Sequence, residues 1–270
     1  RNGRFGDQIP SLDPWGTGCM AGGLYAWRGL AEKRNRGSAV SRQIIFYVEG
    51  YAELEFVNEI IGPHLNNLGV VWHRPILVAN SVRKDRTARG GVRKYGPIRK
   101  DLKRLISQYS GADFIFTTLL DYYGLPEDFP GGKAPRPGVL TQLAKAQEIE
   151  QAWKEDLGDQ RFLPNLLVHE YETLILSRPE SLLAGYPGAE GIIADLIEDI
   201  ASFQNPEDIN DNPLSAPSKR IIRVFEAHHL RYDKVTGGAL AILHLGLNDI
   251  RQRCPKFDAW LKMLESLAET

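Results

Sequence analysis

The sequence predicts an α/β fold: a mainly parallel sheet flanked by helices, continued by a helical C-terminal half. Three observations carry this. Short apolar runs rich in β-branched and aromatic residues alternate with stretches of helical spacing, as βαβ units require. Three of those runs end in acidic residues, and functional side chains of parallel sheets gather beyond the carboxyl ends of their strands. From Glu172 onward helical patterns dominate.

Residues 43–48 (QIIFYV) form the first buried strand and end at Glu49-Gly50. Residues 52–68 place Phe56, Ile60 and Leu65 at helical spacing, with Ile61 and Leu68 alongside. A second strand is expected over 70–78, then a basic, Gly-containing loop over 80–95, then a helix over 97–108 with Pro97 at its start. Residues 113–120 (DFIFTTLL) read as a third buried strand, with Asp121 just past it. Four prolines and four glycines make 124–138 a loop. A helix over 142–156 leads to a fourth strand over 162–168, followed by His169-Glu170-Tyr171-Glu172. Helices are expected over 174–184, 190–202, 218–227, 238–245 and 257–267, with a polar linker over 206–217. Residues 1–42 read as a poorly structured tail with a short helix over 22–32. Residues 43–270 read as one domain whose helical lobe occupies about 173–270.

With 43% hydrophobic and 25% charged residues, the chain is long enough and apolar enough to bury a core that holds a rigid site. A net charge of −1 leaves nucleic-acid binding to be judged from local charge. Cys19 and Cys254 lie far apart with no second Cys or His at ligand spacing, which argues against a zinc site or a disulfide framework and fits a reducing compartment. No apolar run reaches the roughly 18 residues that span a bilayer. Charges and glycines interrupt the N-terminal stretch before a signal-peptide core forms, so a cytoplasmic, membrane-free protein is expected.

The acids define the candidate site. Glu49 ends an apolar strand, and Glu53 falls about one helical turn later. Two carboxylates so placed repel unless a cation lies between them, although the helix dipole alone also favours Glu53. Asp121 ends a second buried strand, where a carboxylate needs a metal, an Arg or backbone donors; turn capping is the plainer alternative. Oxygen-only ligands suit Mg²⁺ or Mn²⁺ and hence phosphoryl-transfer chemistry.

These residues carry a resemblance. Val48-Glu49-Gly50-x-x-Glu53-x-x-Phe56-Val57 resembles the first motif of Toprim domains of topoisomerases, primases and OLD-type nucleases. Four further strings resemble the prokaryotic domain of unknown function family 4276: LLDYYGLPEDFPG (119–131), HEYETLILS (169–177), INDNPLSAPSKRI (209–221) and RCPKFDAWL (253–261). The resemblance runs from about residue 43 to 267. It implies a Toprim-like fold and a likeness to the nuclease effector of the PARIS anti-phage defence pair, in which an ABC-type ATPase partner holds the effector until a phage protein is sensed and host tRNA is cleaved. By the same resemblance Glu49 is a metal ligand or general acid/base, Asp121 the first Asp of Asp-x-Asp, and Glu53 the second acid of OLD-type enzymes. The second Asp is Tyr123 in this chain, so Glu170 and Glu172 stand as its candidate replacements, or else as acids of a solvated helix start. Toprim effectors often pair, which makes a homodimer compatible with the resemblance.

Ten Lys/Arg against two Asp between Arg83 and Arg104 form a local positive stretch beside the first strand ends. Arg83, Lys84, Arg86, Arg89, Arg93 and Lys94 are its candidate phosphate contacts, with a solvated face as the alternative. Lys219, next to the helix-capping candidate Ser218, is a candidate for neutralising phosphate charge; Lys234 is a second, and structural ion pairing is the other fate of each. The expectation is a Mg²⁺- or Mn²⁺-dependent nuclease acting on RNA, tRNA included, or DNA. The rivals are a degraded Toprim-like partner-binding or regulatory subunit, and a small-molecule phosphohydrolase using the same acids.

Overall fold

The computed structural model describes residues 41–78, 94–132, 142–209 and 215–269. The expected 22–32 helix and most of the basic loop lie outside the described residues. Strand β1 (Gln43–Val48) is central, and its residues Ile44 to Val48 are all buried. Such a continuous apolar run is what a parallel strand covered on both faces requires. Strand β4 (Phe114–Asp121) pairs with it in parallel from Gln43↔Phe114 to Val48↔Leu119. The other edge of β1 carries two short strands in succession, β2 (Val71–Trp72) and β3 (Ile76–Leu77). The far edge of β4 likewise carries β5 (Phe162–Leu163) and β6 (Leu166–Leu167). All these pairings are parallel.

Each expected strand over 70–78 and 162–168 is thus two short strands with a break between them. Pro75 falls in the first break and Pro164 in the second. A proline donates no ladder hydrogen bond, so the run yields two short pieces although its apolar character continues.

The two-residue alternation of β1 divides the interior. Ile45 and Tyr47 face a core built with helix α3 (Tyr95–Gln108), through Ile98 and Leu102, and helix α4 (Gln142–Leu157), through Ile149 and Trp153. Ile44, Phe46 and Val48 face the larger core. There lie α1 (Tyr51–Phe56), α2 (Gly62–Asn67) and the C-terminal helices: α5 (Glu172–Ile175), α6 (Glu190–Ile200), α7 (Pro217–Ala227), α8 (Ala239–His244), α9 (Leu247–Arg253) and α10 (Pro255–Glu265). A π turn at Val57–Ile61 joins α1 to α2, so the expected helix over 52–68 is helical through Asn67 but underwound once. The expected helix over 174–184 is instead the short α5 followed by a 3₁₀ segment at Pro179–Ala184, because Pro179 cannot continue a helical hydrogen-bond ladder. Helix α9, with little apolar periodicity, was not expected from the sequence. Among the described residues no helix is long and apolar enough to cross a membrane.

One buried polar knot fixes the segment that leads to the site. The Lys256 ammonium donates to Asn165 Oδ1 at 2.8 Å and the Leu166 carbonyl at 2.6 Å, and pairs with Glu150 at 2.7 Å. It ties α10, α4 and the start of β6 together. Glu207 accepts from the Lys256 and Phe257 N–H groups at 2.8 and 3.1 Å, which caps α10. The Glu207 carbonyl also meets His169 Nε2 at 3.2 Å. His169 is buried with φ of 68°, a left-handed turn that a non-glycine residue keeps only when its surroundings hold it. That turn redirects the chain from β6 into Glu170 and α5.

Candidate functional site

Parallel pairing brings the carboxyl ends of β1, β4 and β6 to one end of the sheet. The Glu49 N–H donates to the Leu119 carbonyl at 3.0 Å, which extends the β1–β4 ladder one step. Its carboxylate oxygen Oε2 then accepts the Asp121 N–H at 2.9 Å. Gly124 makes this approach feasible: a Cβ there would lie 2.9 Å from Glu49 Oε1 and 3.0 Å from Oε2. Glu53 enters from the first turn of α1 and Glu172 from the first turn of α5. Glu53, Asp121 and Glu172 keep only 3, 8 and 1% of their surface exposed.

The positive charge among them is Lys234. Its Nζ lies 3.2 Å from Glu172, 3.5 Å from Asp121 and 3.9 Å from Glu53, and 5.4 Å from the centre of the buried Tyr171 ring. Lys234 begins a π turn, Lys234–Gly238, that Asp233 caps by accepting from the Val235 and Thr236 N–H groups. Gly237 lets this turn press against Tyr186, with no room for a side chain between them. Tyr232 adds a long hydrogen bond of 3.5 Å to Glu172 Oε1.

The electrostatics follow from crowding acids in a poorly solvated place. Burial, then Asp121 and Glu53, push the Glu49 carboxyl up to about 8. Burial and Asp121 push Glu53 up to about 7 against the pull of Lys234. Burial raises Asp121 also, and Lys234 opposes it. Burial works against the Lys234 charge, yet Asp121, Glu172, Glu53 and Glu49 together hold the ammonium well above the ordinary lysine range. Two carboxylate oxygens in this cluster are buried without a hydrogen-bond partner, Asp121 Oδ1 and Glu172 Oε2, the latter with the Lys234 ammonium 3.2 Å away. An unmatched buried acceptor costs about 1–3 kcal/mol, and a cation is one group that relieves it, as a proton or a water is another. Among the described residues, no three His, Cys, Asp or Glu side chains already stand as a ready metal cage.

Of the residues singled out from sequence, Glu49, Glu53, Asp121 and Glu172 converge. Glu170 stands beside them but is engaged, its Oε1 accepting the Ser218 N–H at 2.6 Å at the start of α7; burial and Glu172 raise its carboxyl to about 7. Lys219 is exposed on α7, and the lysine among the acids is Lys234. Tyr123 donates its N–H to the His169 carbonyl at 3.0 Å, its ring 6.0 Å from the His169 ring. Lys94 is exposed just before α3; Arg83, Lys84, Arg86, Arg89 and Arg93 lie outside the described residues. Two further members of the basic stretch pair within the fold, Arg99 with Asp156 at 2.7 Å and Arg104 with Asp101 at 3.8 Å.

The family model described as a domain of unknown function, DUF4276, matches residues 48–265. The chain belongs to this family. That match spans every acid of the cluster and Lys234, so the site lies wholly within the DUF4276 region. No curated protein and no solved structure matches this DUF4276 chain.

Proposed function

We propose that this protein is a divalent-cation-dependent nuclease that hydrolyses phosphodiester bonds of RNA or DNA. The observation that carries the reading is the convergence of Glu49, Glu53, Asp121 and Glu172 at the strand ends, with a buried Asp121 oxygen left without a donor. The donor set is oxygen only, which suits Mg²⁺ or Mn²⁺. Glu49, Glu53, Asp121 and Glu172 are the residues that would hold the ion, with Glu170 at its margin. A bound ion supplies charge neutralisation and a lowered water pKa. The chain's own groups do the rest. Glu49 serves either as a ligand, held ionised by the ion, or, left unligated, as a general acid or base, its metal-free carboxyl being pushed up to about 8. Lys234 presents an ammonium that a phosphate oxygen can share with the acids. Its 39% exposed side chain gives it room to turn outward.

The Toprim-like resemblance extends the proposal to a toxic effector of anti-phage defence, with tRNA as a substrate and an ABC-type ATPase as its partner. The test is cleavage of labelled tRNA, single-stranded RNA and duplex DNA by the purified protein with Mg²⁺ or Mn²⁺, alone and with an ABC-type ATPase of the kind the resemblance implies. Cleavage lost in EDTA supports the proposal. Intact nucleic acid under every condition defeats it.

One observation favours a second reading. Lys234 already supplies a counter-charge to three of the acids, and by the Toprim resemblance Tyr123 takes the place of the second Asp. A site neutralised from within suits a catalytically degraded subunit that binds or regulates an ATPase. Calorimetry separates the two, because that subunit would take up no Mg²⁺.

Gly124 offers a sharper check. Its φ is not in the left-handed region, so alanine fits the backbone, and the three atoms nearest the added methyl all belong to the Glu49 carboxylate. Gly124→Ala is expected to keep its melting temperature while displacing the Glu49 carboxylate. Misplacement of a reacting group by about 1 Å costs on the order of 100-fold in rate. Measuring turnover beside the thermal melt tests this.

A further inference from the structure

The Lys234 ammonium stands among the acids much as a metal ion would. Its Nζ meets Glu172 Oε2 at 3.2 Å, Asp121 Oδ2 at 3.5 Å and Glu53 Oε1 at 3.9 Å. A charge-assisted hydrogen bond to a single carboxylate would be about 2.7–2.9 Å long. The ammonium is therefore shared among three oxygens from three elements rather than bonded closely to one. Its place is set by the backbone that carries it. Asp233 donates its N–H to Tyr186 Oη at 2.7 Å and caps the π turn that Lys234 begins. Gly237 lies against Tyr186 and Gly238 against Tyr232, each too close for a Cβ. A lysine on a turn held this way is built into the cluster, unlike a solvated surface lysine.

Asp121 divides the cluster. Its Oδ2 faces Lys234, while its Oδ1 is buried without a hydrogen-bond partner. Glu49 takes the Asp121 N–H and is not among the three partners of the ammonium. In phosphoryl-transfer sites that use two metal ions, the ions stand about 3.5–4 Å apart, close enough for the two oxygens of one carboxylate to serve one each. Asp121 is arranged as such a bridge, but one of its oxygens already faces a cation. We infer that the Lys234 ammonium takes the position of a second metal ion, so that the site binds one divalent cation per chain and not two. This inference rests on the metal-dependent reading of the acids.

The experiment counts Mn²⁺ bound to the full chain, without nucleic acid, by equilibrium dialysis and electron paramagnetic resonance. The ions counted are those that Asp121→Asn abolishes. Wild type is expected to hold one Mn²⁺ per chain, with the spectrum of an isolated ion. Lys234→Ala should hold two, close enough for their spins to couple, whereas Lys234→Arg, which keeps the charge, should stay at one. If the alanine variant does not fold, Lys234→Gln, which keeps most of the stem, is counted in its place. Two coupled ions in wild type would refute the inference and leave the nuclease standing. A count of one in the neutral variant would refute it too, because the lysine then holds no ion's position. If wild type binds no Mn²⁺ that depends on Asp121, both this inference and the metal-dependent nuclease fall.

Discussion

Glu49→Gln is expected to lower metal-dependent cleavage by about 10²- to 10⁴-fold, the range a positioned acid or base contributes. Glu49 Oε2 accepts the Asp121 N–H at 2.9 Å, and a Gln carbonyl keeps that bond. What Gln cannot do is change charge near neutrality, which the Glu49 carboxyl, pushed up to about 8, does. The folded protein already favours the uncharged form of this residue, so the neutral amide should leave the metal-free melting temperature equal or slightly higher. The discriminating result is therefore a pair: a collapsed rate with an unchanged melt. Asp121→Asn is a harsher change, because it alters the carboxyl that also faces Lys234 at 3.5 Å, and it should lower Mg²⁺ uptake as well as rate. Glu49→Gln cleaving at the wild-type rate would remove Glu49 from the proposed chemistry.

The sheet and half of the site were legible in the sequence because their signals are local. QIIFYV and DFIFTTLL are mostly apolar runs, and being the two central strands they are buried on both faces. Each ends in an acid, so the rule for parallel sheets placed Glu49 and Asp121 together before any coordinate. The edge strands were legible only in outline, since a proline inside an apolar run does not say on which side pairing resumes. The choice between Lys219 and Lys234 was not legible. Lys219 sits in a recognisable helix start, but which lysine reaches the acids is decided by the packing of α1 against the Lys234–Gly238 turn and by the room Gly237 leaves at Tyr186. Glu207 passed unnoticed within a polar linker, because its role is to cap α10, almost fifty residues later. The trace it left was one of three acids, with Asp208 and Asp211, among prolines and asparagines.

Without added metal, the protein is expected to lose stability as pH rises from about 5 to 8, and Mg²⁺ is expected to reverse the loss. Glu49, Glu53 and Glu170 stand raised to about 8, 7 and 7 from an ordinary 4.5, each first by burial. A raised carboxyl binds its proton more tightly in the folded chain than in the unfolded one. Its stabilising contribution is whole below about pH 4.5 and is lost as pH climbs through 7 to 8, because the unfolded state releases its proton first. Asp121 moves in the same direction, whereas the raised Lys234 keeps its charge across the window. The acids lowered by surface partners, such as Asp159 beside Arg161 and Glu265 beside Arg251, change stability only below this window. A divalent ion binds the ionised carboxylates, so its gain is greatest where the protons have gone. At about 100 times its Kd the ion adds about 2.7 kcal/mol, or roughly 5–10 °C for a chain of this size. Thermal melts at pH 5.5 and 8, in EDTA and in Mg²⁺, read all four corners of this cycle. A metal-free melt that holds or rises toward pH 8, or a Mg²⁺ shift as large at 5.5 as at 8, would mean that the buried carboxylates are not the ion's ligands. Glu49→Gln should flatten the metal-free slope, since it removes the acid raised furthest and leaves Lys234 fewer charges to balance.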